Sequence, residues 1–258
     1  MGGLPLNLKA FQFLYLINLL YLNVSSLFVN GGVKMATNKK ILIIGGSGFL
    51  GQELCLAALK KGFTVASLSK HGKPTQLSKE LSDAPIDWIT CDLFATDQLE
   101  SIINQYDIVI HLVAILKEKP KKGLTYQKMI LDAAMIVGNA SKNTAIERFV
   151  FLSANAGSPF IPKKYLENKR LAENYLKRLP FPLTVVRPGL LYGKGRPSSL
   201  TLANLLFFLL KIPLLKQLFI SIKPTPVKVC ATKIIASLDE VPKKAYRVLS
   251  LDELQSKH

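Results

Sequence analysis

Short apolar runs recur along the chain between residues 41 and 186, and longer stretches of mixed polarity separate them. Apolar runs of strand length that alternate with helix-length stretches predict parallel strands covered by helices. The predicted strands are residues 41–44, 64–68, 87–90, 108–113, 149–152 and 183–186. This order predicts an α/β fold, a doubly wound parallel sheet followed by a small C-terminal region.

Three glycines follow the first predicted strand at a spacing of three residues. Gly45 permits a tight turn, Gly48 lets the backbone approach a phosphate, and Gly51 lets the helix predicted at residues 52–61 pack on the strand. Such a turn before a helix N-terminus binds a dinucleotide pyrophosphate. The GxxGxxG spacing differs from the usual GxGxxG, and a purely structural turn is the alternative. The predicted cofactor contacts here are Gly45, Ser47, Gly48, Phe49, Leu50 and Gly51.

The end of the second predicted strand indicates which dinucleotide is preferred. An acidic residue that binds a ribose 2′-hydroxyl is expected about 20 residues past the glycines, but no Asp or Glu occurs between Glu53 and Glu80. Ser69, Lys70 and Lys73 lie there instead, and a hydroxyl with two cations suits a 2′-phosphate. NADP(H) is therefore favoured over NAD(H), with a solvated basic loop as the alternative.

Two other strand ends are predicted to line the cofactor crevice. The third strand leads into Asp92 and Leu93, and the fourth reaches Val113 and Ala114. Ligands of doubly wound sheets bind at the carboxyl ends of the strands, so we expect these four residues to contact the cofactor.

A serine, a tyrosine and a lysine form the candidate catalytic group. Ser153 follows the fifth strand, and Tyr165 and Lys169 lie four residues apart, which places them on one face of a helix. The free pKa of a tyrosine is about 10, and a neighbouring ammonium lowers it. Ser153 would bind a substrate carbonyl while Tyr165 transfers the proton. The alternative is an exposed helix with a surface tyrosine.

The chain resembles the extended or atypical branch of the short-chain dehydrogenase/reductase superfamily. The resemblance covers residues 40–195, where these features follow in that family's order: the glycine motif, Asp92, HLVA at 111–114, Ser153, Tyr165, Lys169 and RPGLLYG at 187–193. The segment FLSANAGSPFIPKKYLENKRLAE is most similar to a mitochondrial subgroup. That subgroup includes a protein associated with coenzyme Q biosynthesis and, more distantly, the NADPH-binding accessory subunit of respiratory complex I.

The resemblance implies a Rossmann fold that binds NAD(P), with roles for particular residues. It places Asp92 near the adenine, Lys169 on the nicotinamide ribose, and Pro188 and Gly189 near the nicotinamide. It also implies that Asn139 assists proton relay. Several members of the subgroup have no demonstrated turnover, so the resemblance permits catalysis without establishing it.

Composition narrows the class of protein and of partner. The chain has 258 residues, enough for one α/β domain with a substantial core. Its three widely spaced cysteines indicate a reducing compartment rather than a disulfide framework or a zinc site. The net charge is +17, which indicates an anionic partner. No nucleic-acid motif accompanies this charge, so an anionic membrane surface is favoured, with a generally basic organelle proteome as the alternative.

Two apolar segments bear on membrane attachment. Residues 10–29 carry no charge and are long enough to span a bilayer. Three lysines in residues 34–40 predict that the following domain lies on the cytosolic or matrix side, although Met35 offers an alternative start that would leave residues 1–34 as an extension. Residues 199–222 are apolar nearly all round, which is typical of an interfacial helix or lid at the substrate cleft, or of a buried core helix.

These patterns divide the chain into an apolar N-terminal segment (1–34), a Rossmann domain (35–195) and a small substrate or membrane-facing region (196–258). The predicted function is NADPH-dependent hydride transfer in mitochondrial quinone (coenzyme Q) metabolism, on the matrix side of the inner membrane; a plastid or other organelle membrane is the alternative location. A non-catalytic, NADPH-loaded scaffold of a respiratory or quinone-biosynthesis complex is the rival function. Ala154 lies where many active members of the family carry a second hydroxyl, and the lack of this hydroxyl is consistent with a non-catalytic protein. An RNA-binding Rossmann protein is a third, less favoured class.

Overall fold

A computed structural model describes residues 38–156, 160–239 and 245–256. Within these ranges the strands are β1 (Lys40–Ile44), β2 (Thr64–Ser69), β3 (Ile86–Thr90), β4 (Ile108–His111), β5 (Arg148–Leu152), β6 (Leu183–Val186), β7 (Leu191–Tyr192), β8 (Thr225–Pro226) and β9 (Tyr246–Leu249). The α-helices are α1 (Phe49–Lys61), α2 (Lys79–Ser82), α3 (Leu99–Ile103), α4 (Ala133–Ser141), α5 (Lys163–Leu176), α6 (Pro197–Leu209), α7 (Pro213–Phe219), α8 (Val227–Ala236) and α9 (Leu251–Gln255). A π-helical segment (Gln127–Asp132) precedes α4, and 3-10 turns occur at Pro120–Lys122 and Ile220–Ile222.

Seven strands form one parallel sheet in the order β3-β2-β1-β4-β5-β6-β9. Helices pack on both faces of this sheet. The strand order reverses between β1 and β4, and such a reversal is where doubly wound folds bind their ligands. The predicted α/β fold class is therefore confirmed.

The core lies on both sides of β1. Ile41 and Ile43 belong to the cluster that includes apolar residues of α1 and α8. Leu42 and Ile44 belong to the opposite cluster, with residues of α4 and α5. All four side chains are fully buried. A strand that is buried on both faces needs an unbroken apolar sequence, which explains why residues 41–44 identify it.

The predicted strands agree with β1, β2, β3, β5 and β6 to within one residue, and larger differences occur at β4 and β9. β4 ends at His111 rather than at residue 113, because only the Leu112 N–H still joins the ladder, donating to the Ile44 carbonyl at 2.9 Å. β9 is missing from the prediction altogether. It pairs only with β6 at the sheet edge, and its residues YRVL are mostly half-buried, so it has no continuous apolar run to detect.

The apolar segment at residues 199–222 is not one helix. α6 ends at Leu209, α7 begins at Pro213, and a 3-10 turn follows at Ile220–Ile222. Pro213 lacks an N–H and therefore starts a helix more readily than it continues one. Many apolar side chains of the segment are exposed, which contradicts the core-helix alternative.

Among the described residues, no helix combines the length and the apolar character that a bilayer crossing requires. The span predicted at residues 10–29 lies outside the described residues.

Candidate cofactor and substrate site

The turn after β1 has the shape that a bound pyrophosphate requires. Gly45 has a φ of 89°, a conformation that favours glycine, and its N–H donates to the Leu68 carbonyl at 2.8 Å. A Cβ on Gly51 would lie 2.5 Å from the Gly45 carbonyl oxygen, so α1 can approach the turn only with glycine there. α1 follows Gly48 without a side-chain cap, which leaves its first N–H groups available to an anion. The turn therefore fits a dinucleotide.

Two further residues shape this turn and were not predicted from the sequence. A Cβ on Gly46 would lie 2.4 Å from Ser67 Oγ on β2, so only glycine fits at this position. The adjacent pair Gly45-Gly46 in the sequence could have indicated this. Arg196 lies beside the turn, with its guanidinium 4.9 Å from the centroid of the Phe49 ring, and lines the cavity described below. Arg196 is far from the glycines in the sequence, so nothing there indicated that it would lie near them. It places a cation beside the predicted phosphate site.

A cavity of about 280 Å³, here called the cofactor cavity, extends from the glycine turn to the ends of β5 and β6. It brings together predicted residues from separate parts of the chain: Gly45, Gly48, Phe49, Leu50, Gly51, Ala114, Ser153, Tyr165, Lys169, Pro188 and Gly189. Ser47 is not part of this lining, and its carbonyl accepts a hydrogen bond from Gln52 Nε2 at 2.9 Å.

A second cavity, of about 270 Å³, lies across the turn at the ends of β2 and β3 and is called the adenosine cavity. Its predicted lining residues are Ser69, Lys70, Asp92, Leu93 and Val113. Two further cations line it that were not predicted from the sequence, Lys122 and Lys128. They belong to a lysine-rich stretch at residues 117–128, which was the signal that could have found them.

The polar groups of the adenosine cavity are already partly paired. Lys70 Nζ lies 2.7 Å from Asp92 Oδ2, and this bond lowers the pKa of Asp92 below its ordinary value. Ser69 Oγ donates to the Gly72 carbonyl at 3.0 Å. Lys73 is not in the lining and instead donates to the Ser82 carbonyl at 3.4 Å. Of the three residues predicted to suit a 2′-phosphate, only Ser69 and Lys70 therefore reach this cavity.

Tyr165 and Lys169 lie on one face of α5, as the four-residue spacing predicted. Lys169 is buried, and its Nζ lies 5.9 Å from the Tyr165 ring centroid and donates to the Leu152 carbonyl at 2.6 Å. Burial lowers the pKa of Lys169 to about 7 and raises the pKa of Tyr165 to about 12. The expected lowering of the Tyr165 pKa by Lys169 is therefore not seen: burial is the largest influence on this pKa, Tyr126 raises it further, and the lowering influence comes from Arg170.

Ser153 lines the cofactor cavity, but its hydroxyl is already hydrogen-bonded within the protein, and its role toward a substrate carbonyl stays a prediction. Its Oγ donates to Glu173 Oε1 and accepts a hydrogen bond from Arg170 Nη1 at 3.0 Å. Glu173 is buried and also binds Arg187, whose Nε lies 3.1 Å from Oε1. Part of this network could have been predicted, since Arg170 and Glu173 are three residues apart on α5. The neighbouring wall residue is Ala154, which carries no hydroxyl.

The asparagine implied by the family resemblance lies elsewhere. Asn139 is exposed, and its Oδ1 accepts a hydrogen bond from the Tyr175 hydroxyl at 2.7 Å, so in this structure it does not pair with Tyr165. The aromatic ring next to Tyr165 is instead Tyr126, at 5.5 Å between centroids in an edge-on arrangement.

A third cavity, of about 460 Å³, opens from the same wall and is called the apolar cavity. It shares Leu116, Ala154, Tyr165, Pro188, Gly189 and Leu190 with the cofactor cavity. The remaining lining comes from residues 160–162, from four leucines of α6 (Leu202, Leu205, Leu206 and Leu209), and from Phe219 and Ile222. An almost entirely apolar chamber therefore adjoins Tyr165.

Metal chemistry has no candidate ligand set in the described part of the chain, where no cluster of three or more His, Cys, Asp or Glu side chains occurs. His111 at the end of β4 is buried and stacks on Phe151, with 5.9 Å between ring centroids. Burial lowers the pKa of His111 to about 3, so it packs as a neutral ring.

The fold and the glycine turn are those of a Rossmann protein that binds a dinucleotide. The chain belongs to the NAD(P)H-binding family, whose model matches residues 45–204.

Several known proteins are similar to this chain at low identity. MIOREX complex component 2 of Saccharomyces cerevisiae is 28% identical over 61% of this chain and 74% of its own length. The ceramide reductase of Caulobacter vibrioides is 25% identical over 71% of this chain and 56% of its own length. The mitochondrial 40 kDa subunit of NADH-ubiquinone oxidoreductase of Neurospora crassa is 21% identical over 63% of this chain and 43% of its own length. The chain thus spans about half the length of the last two.

Solved structures support the same fold. The UDP-glucuronic acid 4-epimerase of Bacillus cereus, in complex with NAD, superposes with a TM-score of 0.60 over 82% of this chain and 78% of that enzyme. At 20% identity, this likeness concerns the fold alone.

Proposed function

We propose that the protein binds NADP(H) in the mitochondrion and transfers a hydride between this nucleotide and an apolar substrate: NADPH reduces a carbonyl or quinone, and NADP⁺ oxidises the corresponding alcohol or quinol. The observation that carries this proposal is the shared wall: Tyr165, Pro188 and Gly189 border both the cofactor cavity and the apolar cavity. A nicotinamide beside this wall would face an apolar substrate directly.

The bound nucleotide supplies the hydride, and the chain supplies position and the proton. The glycine turn and the N-terminus of α1 hold the pyrophosphate, with Arg196 as an additional cation. Lys70, Lys122 and Lys128 line the adenosine cavity, where a 2′-phosphate would lie, and Asp92 is the one carboxylate in that lining. This excess of positive charge supports NADPH over NADH. Tyr165 donates a proton to the substrate oxygen as the carbonyl becomes an alcohol, and Lys169 binds the nicotinamide ribose.

The location and the substrate class rest on the relatives. One relative is named a mitochondrial subunit of NADH-ubiquinone oxidoreductase, and another is named a ceramide reductase. Both names agree with an apolar substrate, and the first agrees with a mitochondrial protein that acts in quinone metabolism. We place the protein on the matrix side of the inner membrane as part of the same proposal.

A second candidate is an NADPH-loaded scaffold or assembly subunit of a respiratory or quinone-biosynthesis complex. The observation that favours it is the state of the catalytic group: Ser153 is bound to Glu173, and Ala154 occupies the wall beside Tyr165. Burial that raises the pKa of Tyr165 to about 12 also makes its phenolate harder to form. The yeast relative is itself named a component of a complex.

One experiment separates the two candidates. In a strain that lacks the native protein, Tyr165→Phe and Gly48→Trp are compared with the unmodified chain, because the first removes the acidic hydroxyl and the second blocks the pyrophosphate turn. An enzyme requires both residues, so both variants should fail although Tyr165→Phe still binds NADPH. A scaffold requires only the nucleotide, so full complementation by Tyr165→Phe alone would rule out the enzyme and leave the scaffold.

A further inference from the structure

The helices beside the apolar cavity expose an unusual amount of apolar surface. On α6, Phe208 is 63% exposed and Leu205 is 53% exposed, and on α7, Leu214 is 86% exposed. Leu202 is 44% exposed as well. Large side chains exposed together on consecutive helices mark an interaction site more often than isolated ones do. We call this set, with Leu218 of α7, the α6–α7 surface.

This surface borders the apolar cavity on its α6 side. Leu202 and Leu205 line the cavity and are still about half exposed, so they form its rim. Phe208 and Leu214 do not belong to the lining and extend the apolar area outward from that rim. A partner that covers the surface would therefore also cover that rim.

The charge around the surface has one sign. No Asp or Glu occurs between Glu173 and Asp239. Lys211 and Lys216 flank the junction of α6 and α7, are exposed, and take part in no ion pair within the described part of the chain. Exposed apolar side chains beside unpaired lysines match an anionic lipid surface. The apolar side chains can insert among the acyl chains, and the lysines can bind the anionic headgroups.

We propose that the α6–α7 surface docks on an anionic phospholipid bilayer and that the apolar cavity opens toward the lipid. An apolar substrate would then enter from the membrane without crossing water. The proposal deepens the proposed function by giving the substrate's route. Docking itself needs neither nucleotide nor turnover, so its test is independent of the enzyme assay.

The test is vesicle flotation of a form that begins at Met35. This form holds the compact unit from Thr37 onward, which contains the whole sheet and both core clusters. Vesicles of phosphatidylcholine with cardiolipin are compared with phosphatidylcholine alone, in low and high salt. We expect binding to the anionic vesicles and at least a tenfold loss of it in high salt.

Two matched pairs of variants locate the binding surface. Phe208→Ser with Leu214→Ser should weaken vesicle binding at least tenfold, whereas Leu171→Ser on α5, a residue that is also about half exposed, should not. Lys211→Glu with Lys216→Glu should weaken it similarly.

The charge-matched control pair is Lys79→Glu with Lys142→Glu, both at exposed positions outside the α6–α7 surface. The proposal is overturned if the unmodified protein leaves anionic vesicles unbound in low salt, or if both lysine pairs weaken binding equally. It is also overturned if the Phe208→Ser and Leu214→Ser change alters only the oligomeric state, since the surface would then join two copies of the chain. Circular dichroism checks that each variant is folded.

Discussion

Glu173 provides the most direct test of how the site is held together. Its side chain is 4% exposed, and it joins Arg170, Arg187 and Ser153 between α5 and the ends of β5 and β6. Replacing it by Gln removes the charge but keeps an acceptor of nearly the same size. The two guanidinium groups would then lose their counter-ion in a partly buried place.

The expected loss follows from that geometry. Removing one partner of a buried ion pair costs about 3–5 kcal/mol. Because the side chains of Arg170 and Arg187 are 30% and 29% exposed, water compensates in part, and we expect about 3 kcal/mol at most. For a domain of this size each kcal/mol lowers the melting temperature by about 2–4 °C, which gives a decrease of roughly 6–12 °C.

The matched control is Glu167→Gln on the same helix. Glu167 is 55% exposed and lies 3.8 Å from Lys163, so its loss should cost less than about 0.5 kcal/mol. Urea unfolding followed by circular dichroism measures both variants, and an unchanged m-value shows that the comparison is valid. If Glu173→Gln is no less stable than Glu167→Gln, the network has no structural role and the account of Ser153 is wrong.

Three further predictions concern the nucleotide and the buried lysine. Lys70→Glu should narrow or reverse the preference for NADPH over NADH, measured by titration of each nucleotide; equal affinities in the unmodified protein would refute the preference itself. Lys169 has a pKa of about 7 in the folded protein against an ordinary 10.5, so the unfolded state binds more protons between these values and stability rises with pH there. Lys169→Met should therefore stabilise the protein at pH 6 and lose about 3 kcal/mol of that advantage by pH 9, whereas an equal gain at both pH values would show that Lys169 is not desolvated. Gly51→Val, whose Cβ would lie 2.5 Å from the Gly45 carbonyl oxygen, should abolish NADPH binding and lower the melting temperature, and a variant with normal binding would contradict the close packing of α1.

The parallel sheet could be predicted because its central strands leave a plain signal. Residues 41–44 are buried on both faces and are therefore apolar without interruption. β9 left no such signal, because an edge strand pairs on one side only and tolerates Arg247 among half-buried residues. The break between α6 and α7 could have been predicted from Pro213. The boundary is not visible in the apolar pattern, because the residues on both sides of it are apolar.

The site was only partly predictable for a different reason. Spacing along one helix placed Tyr165 and Lys169 together, since that relation is local. The partner of Ser153 is Glu173, twenty residues away, and the direction of a hydroxyl depends on such tertiary contacts. Spacing likewise gives no measure of burial. It therefore could not predict that burial raises the pKa of Tyr165 rather than lowering it.

The central claim is that the glycine turn binds NADPH, and energy transfer from tryptophan tests it directly. Trp88 on β3 is the one tryptophan of the chain, and its emission overlaps the absorption of reduced nicotinamide. The account predicts saturable transfer from Trp88 to NADPH that Gly48→Glu abolishes, because a carboxylate would repel the pyrophosphate at the N-terminus of α1, while Gln105→Glu on the exposed surface leaves it unchanged. A folded, unmodified protein that gives no saturable transfer, or a Gly48→Glu variant that binds NADPH normally, would contradict the claim.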